Sequence, residues 1–240
     1  MTGIIKEERI GGQRLILGDC LEVMPLLGRF DAVVTDPPYG IGADEAQNAA
    51  AEQRKKAGGK TKAGRGWKEY HSTSWDRERP SKKIFDLIIK SSKDQVIWGG
   101  NYFTDYLPPS MRWLIWDKGQ RGFSLADCEV AWTSQNNAMR IFDYARGKAL
   151  QDGRVHPTQK PVALMEWCLG FLPNATTILD PFMGSGTTLV SCHKLGRQGA
   201  GIELDPEYFE IACRRVEEAT MQPDMFVQAP TLTPTQETLL

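Results

Sequence analysis

No C-x-x-C pair, no long apolar run and no strong excess of either charge occur in these 240 residues. The five cysteines, Cys20, Cys128, Cys168, Cys192 and Cys213, stand singly, which disfavours a zinc cluster. Free thiols in a reducing cytoplasm are the simple reading. Only three histidines are present. His156 has no Cys or His neighbour at ligand spacing, so no metal is expected. No apolar segment approaches the length of a bilayer, and the N-terminus lacks the basic-then-apolar pattern of an export signal. Neither a membrane span nor secretion is expected, and no internal repeat is visible.

A balanced net charge fits poorly with a polyanionic partner, but the distribution matters more than the sum. Beyond Arg215 there are four acidic residues and no basic ones, which leaves residues 1–215 with 29 basic and 26 acidic side chains. Arg54, Lys55, Lys56, Lys60, Lys62, Arg65 and Lys68 form a run with no acidic residue inside it. Such a run can neutralise phosphates; taken alone it fits a solvated stretch equally well.

Strand and helix patterns alternate along the chain. Buried strands are predicted at Arg14–Leu17 and Ala32–Thr35, with Asp19 capping a helix that presents Leu21, Met24 and Leu27. Residues 41–75 show no period and read as a mobile loop that interleaves basic residues with Trp67, Tyr70 and Trp75. A helix follows over Pro80–Lys90, then strands at Val96–Trp98 and Trp113–Trp116. Val130–Trp132 and Met139–Phe142 are read as a hairpin. Pro161 opens a helix. Beyond it come strand Thr177–Leu179, helix Thr187–Leu195, strand Gly199–Ile202, and a helix capped by Asp205 that runs to Val216. This alternation predicts an α/β, doubly wound, mostly parallel sheet within one domain, residues 1–219. A flexible acidic tail is expected over 220–240.

Two segments carry chemistry. Asp180-Pro181-Phe182-Met183-Gly184-Ser185-Gly186 lies between a strand and a helix. Its glycines allow a ligand to approach backbone, and the helix start offers free N–H groups. Glu203 follows Gly184 by 19 residues, where doubly wound folds place a ribose-binding carboxylate. The turn lacks a G-K-[ST] ending and a third glycine, so it matches neither a triphosphate loop nor a dinucleotide fingerprint. A methionine-derived nucleoside fits better. The second segment, Asp36-Pro37-Pro38-Tyr39, ends a strand. An exocyclic base amine is a weak nucleophile. A carboxylate at Asp36 and the Pro37 carbonyl can accept its N–H groups out of plane and favour a tetrahedral nitrogen. Pro38 stiffens the turn, and Tyr39 offers a stacking face. Alone, each segment also fits an ordinary turn.

Together with Gly18-Asp19-Cys20, His156-Pro157-Thr158-Gln159-Lys160-Pro161 and Gly201-Ile202-Glu203, these segments resemble the beta-class DNA amino-methyltransferases, in that family's motif order. The resemblance implies a Rossmann-like class I methyltransferase fold with a small recognition insertion, and S-adenosyl-L-methionine as cofactor. It implies that Asp19 contacts the cofactor's adenine and Glu203 its ribose. Thr158, Lys160, Ser185 and Thr187 take the methionine end, with His156, Asp180, Phe182, Gly184 and Gly186 shaping the pocket. It implies methylation of N6 of adenine in double-stranded DNA, with N4 of cytosine as the alternative. A duplex target must be flipped out. The 41–75 loop is then a clamp, and residues 118–155 hold the candidate sequence readers, among them Lys118, Gln120, Arg121, Gln135, Asn136, Asn137 and Arg146. A homodimer is an open expectation. A non-catalytic nucleic-acid-binding module and a nucleotide-dependent oxidoreductase are the other classes considered. In the tail, Gln222, Met225 and Phe226 resemble the peptide with which bacterial proteins dock on a sliding clamp.

Overall fold

The computed structural model describes residues 3–42, 76, 78–122, 126–145, 147 and 159–221. Nine strands form one mixed sheet: β1 Ile4–Ile10, β2 Gln13–Gly18, β3 Phe30–Thr35, β4 Ser92–Trp98, β5 Trp113–Asp117, β6 Cys128–Thr133, β7 Arg140–Asp143, β8 Thr177–Asp180 and β9 Gln198–Glu203. Their order is β1-β2-β9-β8-β3-β4-β6-β5-β7. The described helices are α1 Cys20–Leu27, α2 Lys82–Ser91, α3 Val162–Gly170, α4 Thr187–Lys194 and α5 Pro206–Met221. None of them is long and apolar enough to cross a membrane.

The middle of the sheet, β2-β9-β8-β3-β4, is parallel throughout. A parallel strand is covered on both faces, so its sequence reads as an unbroken apolar run. In β3, Val33 packs with α1 and α2 residues such as Val23, Phe85 and Ile88. Its neighbours Ala32 and Val34 pack on the opposite face with Leu164, Met165 and Leu169 of α3. Successive side chains point to opposite faces, so this one strand joins both halves of the core. Leu15 and Leu17 of β2 meet Phe209, Ala212 and Val216 of α5 in a third cluster.

This topology sets where a ligand can reach. Gly18, Thr35, Trp98, Asp180 and Glu203 are the last residues of β2, β3, β4, β8 and β9. These carboxyl ends of parallel strands open on one edge of the sheet, where α/β folds bind ligands.

Three features differ from the sequence reading. β1 was not anticipated; it pairs antiparallel with β2 and carries Lys6, Glu7, Glu8 and Arg9, a polar run with no apolar period. The expected hairpin between 130–132 and 139–142 does not form. β6 is antiparallel to β4 and β5, and β7 instead runs parallel to β5 at the sheet edge. Trp116 Nε1 donates to the Tyr144 carbonyl at 2.8 Å, and the Phe142 ring lies 5.1 Å from Trp167. Those contacts draw β7 past β6. Finally, α5 continues to Met221.

Candidate active site

Asp36 emerges from the end of β3 with both carboxylate oxygens engaged. Oδ1 accepts from the Tyr39 hydroxyl at 2.5 Å, and Oδ2 from Lys160 Nζ at 2.6 Å. The backbone turn beyond Pro38 is pinned by Asp76, whose Oδ1 accepts from the Tyr39 and Gly40 N–H groups at 2.7 and 2.9 Å. Asp76 is buried and was missed in the sequence. Its only signal was an acidic side chain directly after an aperiodic stretch.

The Lys160 side chain is only 5% exposed, and its ammonium lies between two carboxylates. Besides Asp36 it meets Glu129 Oε2 at 3.0 Å, and it donates to the Tyr39 hydroxyl oxygen at 3.2 Å. Burial alone lowers a lysine pKa, but Asp36 and Glu129 outweigh burial here and hold Lys160 above its ordinary value. Burial raises Asp36, and Glu129 adds to that rise against the pull of Lys160. Glu129 itself pairs with Lys118 at 2.5 Å. Lys160 and Lys118 overcome its burial and bring it down to about 2. Lys118, only 12% exposed, is therefore turned inward onto Glu129.

Tyr39 packs in an aromatic corner. Its ring stacks on Tyr102 at 4.8 Å and 16°, and meets Phe103 edge-on at 6.3 Å. The third wall is Gly99, at φ +66°, where an added Cβ would sit 2.0 Å from Tyr39 Cε1. Neither the backbone conformation nor the space admits a side chain. Gly99→Ala is expected to displace Tyr39. Thermal melting should fall by roughly 2–8 °C, and turnover should drop at least about tenfold, for a displacement costing 1.4 kcal/mol or more.

At the other end of the site, the turn after β8 is built around Asp180 and Glu203. Asp180 accepts from Thr35 Oγ1 at 2.7 Å, Thr188 Oγ1 at 2.6 Å and the Phe182 N–H at 3.1 Å. Burial pushes it up to about 6 against those bonds. It braces the turn from within, more than it offers an acceptor to a ligand. Glu203 Oε2 accepts from the Gly184 N–H at 2.8 Å, and Oε1 from Leu204 and Asp205 N–H at 2.9 Å each. Burial raises Glu203 to about 7 in spite of these donors.

The two turn glycines divide their work. Gly184, at φ +52°, has open space where a Cβ would be. Gly186, at φ +78°, would bring a Cβ within 3.0 Å of Ala212 Cβ. Its small size admits α5. Ser185 and Thr187 are held from behind by Arg215, whose guanidinium donates to the Ser185 carbonyl, to Ser185 Oγ at 2.9 Å and to Thr187 Oγ1 at 3.2 Å. Arg215 was not anticipated. Burial depresses it to about 10.

One cavity of about 660 Å³ joins the two ends. Asp36, Lys160, Phe182, Gly184, Ser185 and Glu203 line it. Asp19 also reaches it while its Oδ1 caps α1 through the Leu21 N–H at 2.8 Å. The volume is that of a small-molecule pocket. A bare glycine backbone beside an acidic acceptor suits a nucleoside with ribose hydroxyls, so these residues fit S-adenosyl-L-methionine.

The described candidates Arg121 and Gln135 do not line this cavity. Arg121 is exposed and forks onto Asp117 at 2.9 and 2.5 Å. Gln135 is occupied by Arg112 and the Phe171 carbonyl. Arg54, Lys55, Lys56, Lys60, Lys62, Arg65, Lys68, Trp67, Tyr70, Trp75, Arg146, His156, Thr158, Gln222, Met225 and Phe226 lie outside the described residues. No cluster able to hold a metal occurs among the described residues.

A family model described as DNA methylase, covering N6 and N4 amino-methylation, matches residues 47–214. The type II methyltransferase M2.DpnII of Streptococcus pneumoniae is 34% identical over 119 residues, 40% of this chain and 44% of that protein. The type II methyltransferase M.HpaI of Haemophilus parainfluenzae is 25% identical over 256 residues, 85% of this chain and 74% of that protein. The chain thus spans less than half of the first relative and about three quarters of the second. In fold it is similar to the PvuII DNA methyltransferase, described as cytosine-N4-specific. That likeness has a TM-score of 0.52 at 16% identity and covers 90% of this chain and 94% of that one. With more than half of its length matched by the family model, this chain belongs to the N6/N4 DNA methylase family. Two solved structures similar in fold, M1.HpyAVI at a TM-score of 0.51 and the DNA modification methylase TTHA0409 of Thermus thermophilus at 0.52, are complexes with S-adenosyl-L-methionine.

Proposed function

We propose that this chain methylates the N6 amino group of an adenine flipped out of double-stranded DNA. The observation that carries the reading is that Asp36 and the Gly184–Glu203 pair face one cavity. Bound S-adenosyl-L-methionine supplies a methyl group made electrophilic by its sulfonium. The chain's own residues act on the other reactant. Asp36 and the Pro37 carbonyl accept the amine's N–H groups and stabilise the positive charge that builds on nitrogen. The cavity aligns the amine with the donor, which removes the entropic cost of encounter.

In the structure the Tyr39 hydroxyl occupies Asp36 Oδ1. An entering amine takes over that bond and releases Tyr39 to stack. Tyr102 covers one face of the ring, so a base stacks from the opposite face or by displacing Tyr102. Two variants separate ring from hydroxyl. Tyr39→Phe should retain kcat within about threefold, while Tyr39→Ala should lower kcat/KM by about 10- to 100-fold, the worth of one stacked base. Steady-state methylation of an unmethylated duplex measures both, and equal loss in the two variants would contradict the stacking role.

The second reading is N4 of cytosine, since the same acceptors serve either amine and the fold is similar to that of a cytosine-N4-specific enzyme. An Asp at the first position of Asp36-Pro37-Pro38-Tyr39 favours adenine in the family. Mass analysis of nucleosides from host DNA after expression decides between them. N6-methyladenine is expected, and N4-methylcytosine alone would move the assignment to cytosine. Absence of both would overturn methylation of DNA.

A further inference from the structure

Lys118, Glu129, Lys160 and Asp36 form a line of alternating charges that ends at the candidate catalytic carboxylate. The separations are 2.5 Å from Lys118 to Glu129, 3.0 Å from Glu129 to Lys160 and 2.6 Å from Lys160 to Asp36. We propose that Glu129 is a positioning residue for methyl transfer: it shares the Lys160 ammonium with Asp36 and so keeps that ammonium from monopolising the oxygens the substrate amine needs. The proposal rests on the amino-methyl-transfer reading and assigns a role to a residue on β6, outside every motif of that reading.

The geometry argues it in steps. Lys160 is 5% exposed, so its ammonium has little water to lean on. The Tyr39 and Trp98 rings flank it at 5.6 and 5.7 Å. A buried charge must be paired, and here two carboxylates divide one cation. Asp36 has a second visitor, the Tyr39 hydroxyl on Oδ1. If Glu129 lost its charge, Lys160 would have one anionic partner left and would bind Asp36 more tightly. An incoming amine would then compete with a stronger ion pair. Lys118 keeps Glu129 ionised from its far side, with the Lys118 side chain itself only 12% exposed. Two cations and two anions leave the line neutral, which suits a site where positive charge must grow on a neutral base.

Glu129→Gln tests this, because the amide keeps the shape and removes the charge. The groups that act on Asp36 are Lys160, Tyr39 and Glu129, and Asp180 is coupled to it from β8. Removing the Glu129 charge removes one influence that raises Asp36 and strengthens one that lowers it. Both changes have the same sign. The acid limb of kcat is expected to move to lower pH, its plateau to fall about tenfold, and cofactor affinity to stay within about twofold. The Asp36 carboxyl, followed by NMR in protein labelled with 13C-aspartate and assigned by its loss in Asp36→Asn, should titrate lower by the same shift. Glu129→Asp, which restores the charge, should return the limb toward wild type. A fall in kcat and melting temperature with the limb and the Asp36 titration unmoved would make Glu129 merely structural and overturn the proposal. Unchanged kcat would overturn it as well. If the wild-type protein methylates neither base, the reaction reading falls, and the Asp36 titration alone decides whether Glu129 governs that carboxylate.

Discussion

Asp36→Ala is expected to lower kcat by at least about 10³-fold while cofactor affinity changes by no more than about twofold, since the carboxylate acts on the amine and not on the donor's ribose. The separation follows from position. Asp36 lies past the end of β3, while Gly184 and Glu203 hold the other end of the cavity, on β8–α4 and β9. Loss of the carboxylate does not orphan its partner, because Lys160 keeps Glu129 at 3.0 Å. The fold should therefore survive, with a stability loss of roughly 3–6 kcal/mol for the two charge-assisted bonds, from Tyr39 and Lys160, removed from a buried network. Asp36→Asn is the sharper variant. It keeps one acceptor oxygen and the volume, but presents an NH₂ group to Lys160 or to the substrate amine, both of them donors. Its kcat should fall nearly as far. Isothermal titration with the cofactor and single-turnover methylation of a duplex measure the two halves separately. A collapse of cofactor affinity together with turnover would mean that Asp36 also builds the donor's pocket.

Much of this division was legible in the sequence, and the parts that were not share a cause. Asp36, Tyr39, Gly184 and Glu203 could be read because each belongs to a local pattern: a strand that ends in a turn, or a turn that ends in a helix. Their packing partners come from far along the chain. Glu129 and Lys160 meet across 31 residues, Asp76 and Tyr39 across 37, and Arg215 and Ser185 across 30. Spacing carries no information about such pairs. Lys118 shows the same limit from the other side. A lysine in a polar stretch reads as solvent-exposed, and only the fold reveals that Glu129 on the adjacent strand turns it inward. Gly186 was read as a glycine that lets a ligand approach backbone, and no spacing reveals its close neighbour, Ala212 of α5, 26 residues further on. β1 had no apolar period because it is a sheet edge with charged side chains along it, a usual device against unwanted pairing.

Glu203 carries the other large effect, and its sign can be worked through. Burial raises its pKa from 4.5 to about 7, so the folded state prefers the protonated acid. The stability this confers is complete below the unfolded pKa and is lost as pH rises through 7. On the order of 3 kcal/mol is at stake for a shift of this size. Glu203→Gln, neutral at every pH, should remove that dependence. Relative to wild type it should gain stability at pH 8 and show no gain at pH 4; chemical denaturation at the two pH values measures the difference. Cofactor binding should respond in the opposite direction. A carboxylate accepts from ribose hydroxyls more strongly than a neutral acid does. Affinity of the wild-type protein should therefore weaken as pH falls below 7, approaching about tenfold per pH unit when only the ionised form binds. Glu203→Gln should bind the cofactor about 10- to 10²-fold more weakly at pH 8, as expected for loss of a charged acceptor serving a ribose hydroxyl, and should show no such pH dependence. A variant that is more stable at alkaline pH yet binds its cofactor less well would show that Glu203 is kept charged for its ligand at the expense of the fold. Cofactor affinity in wild type that stays flat between pH 5 and pH 8 would mean that the acceptor for the ribose lies elsewhere in the cavity, with Asp19 the first alternative to test.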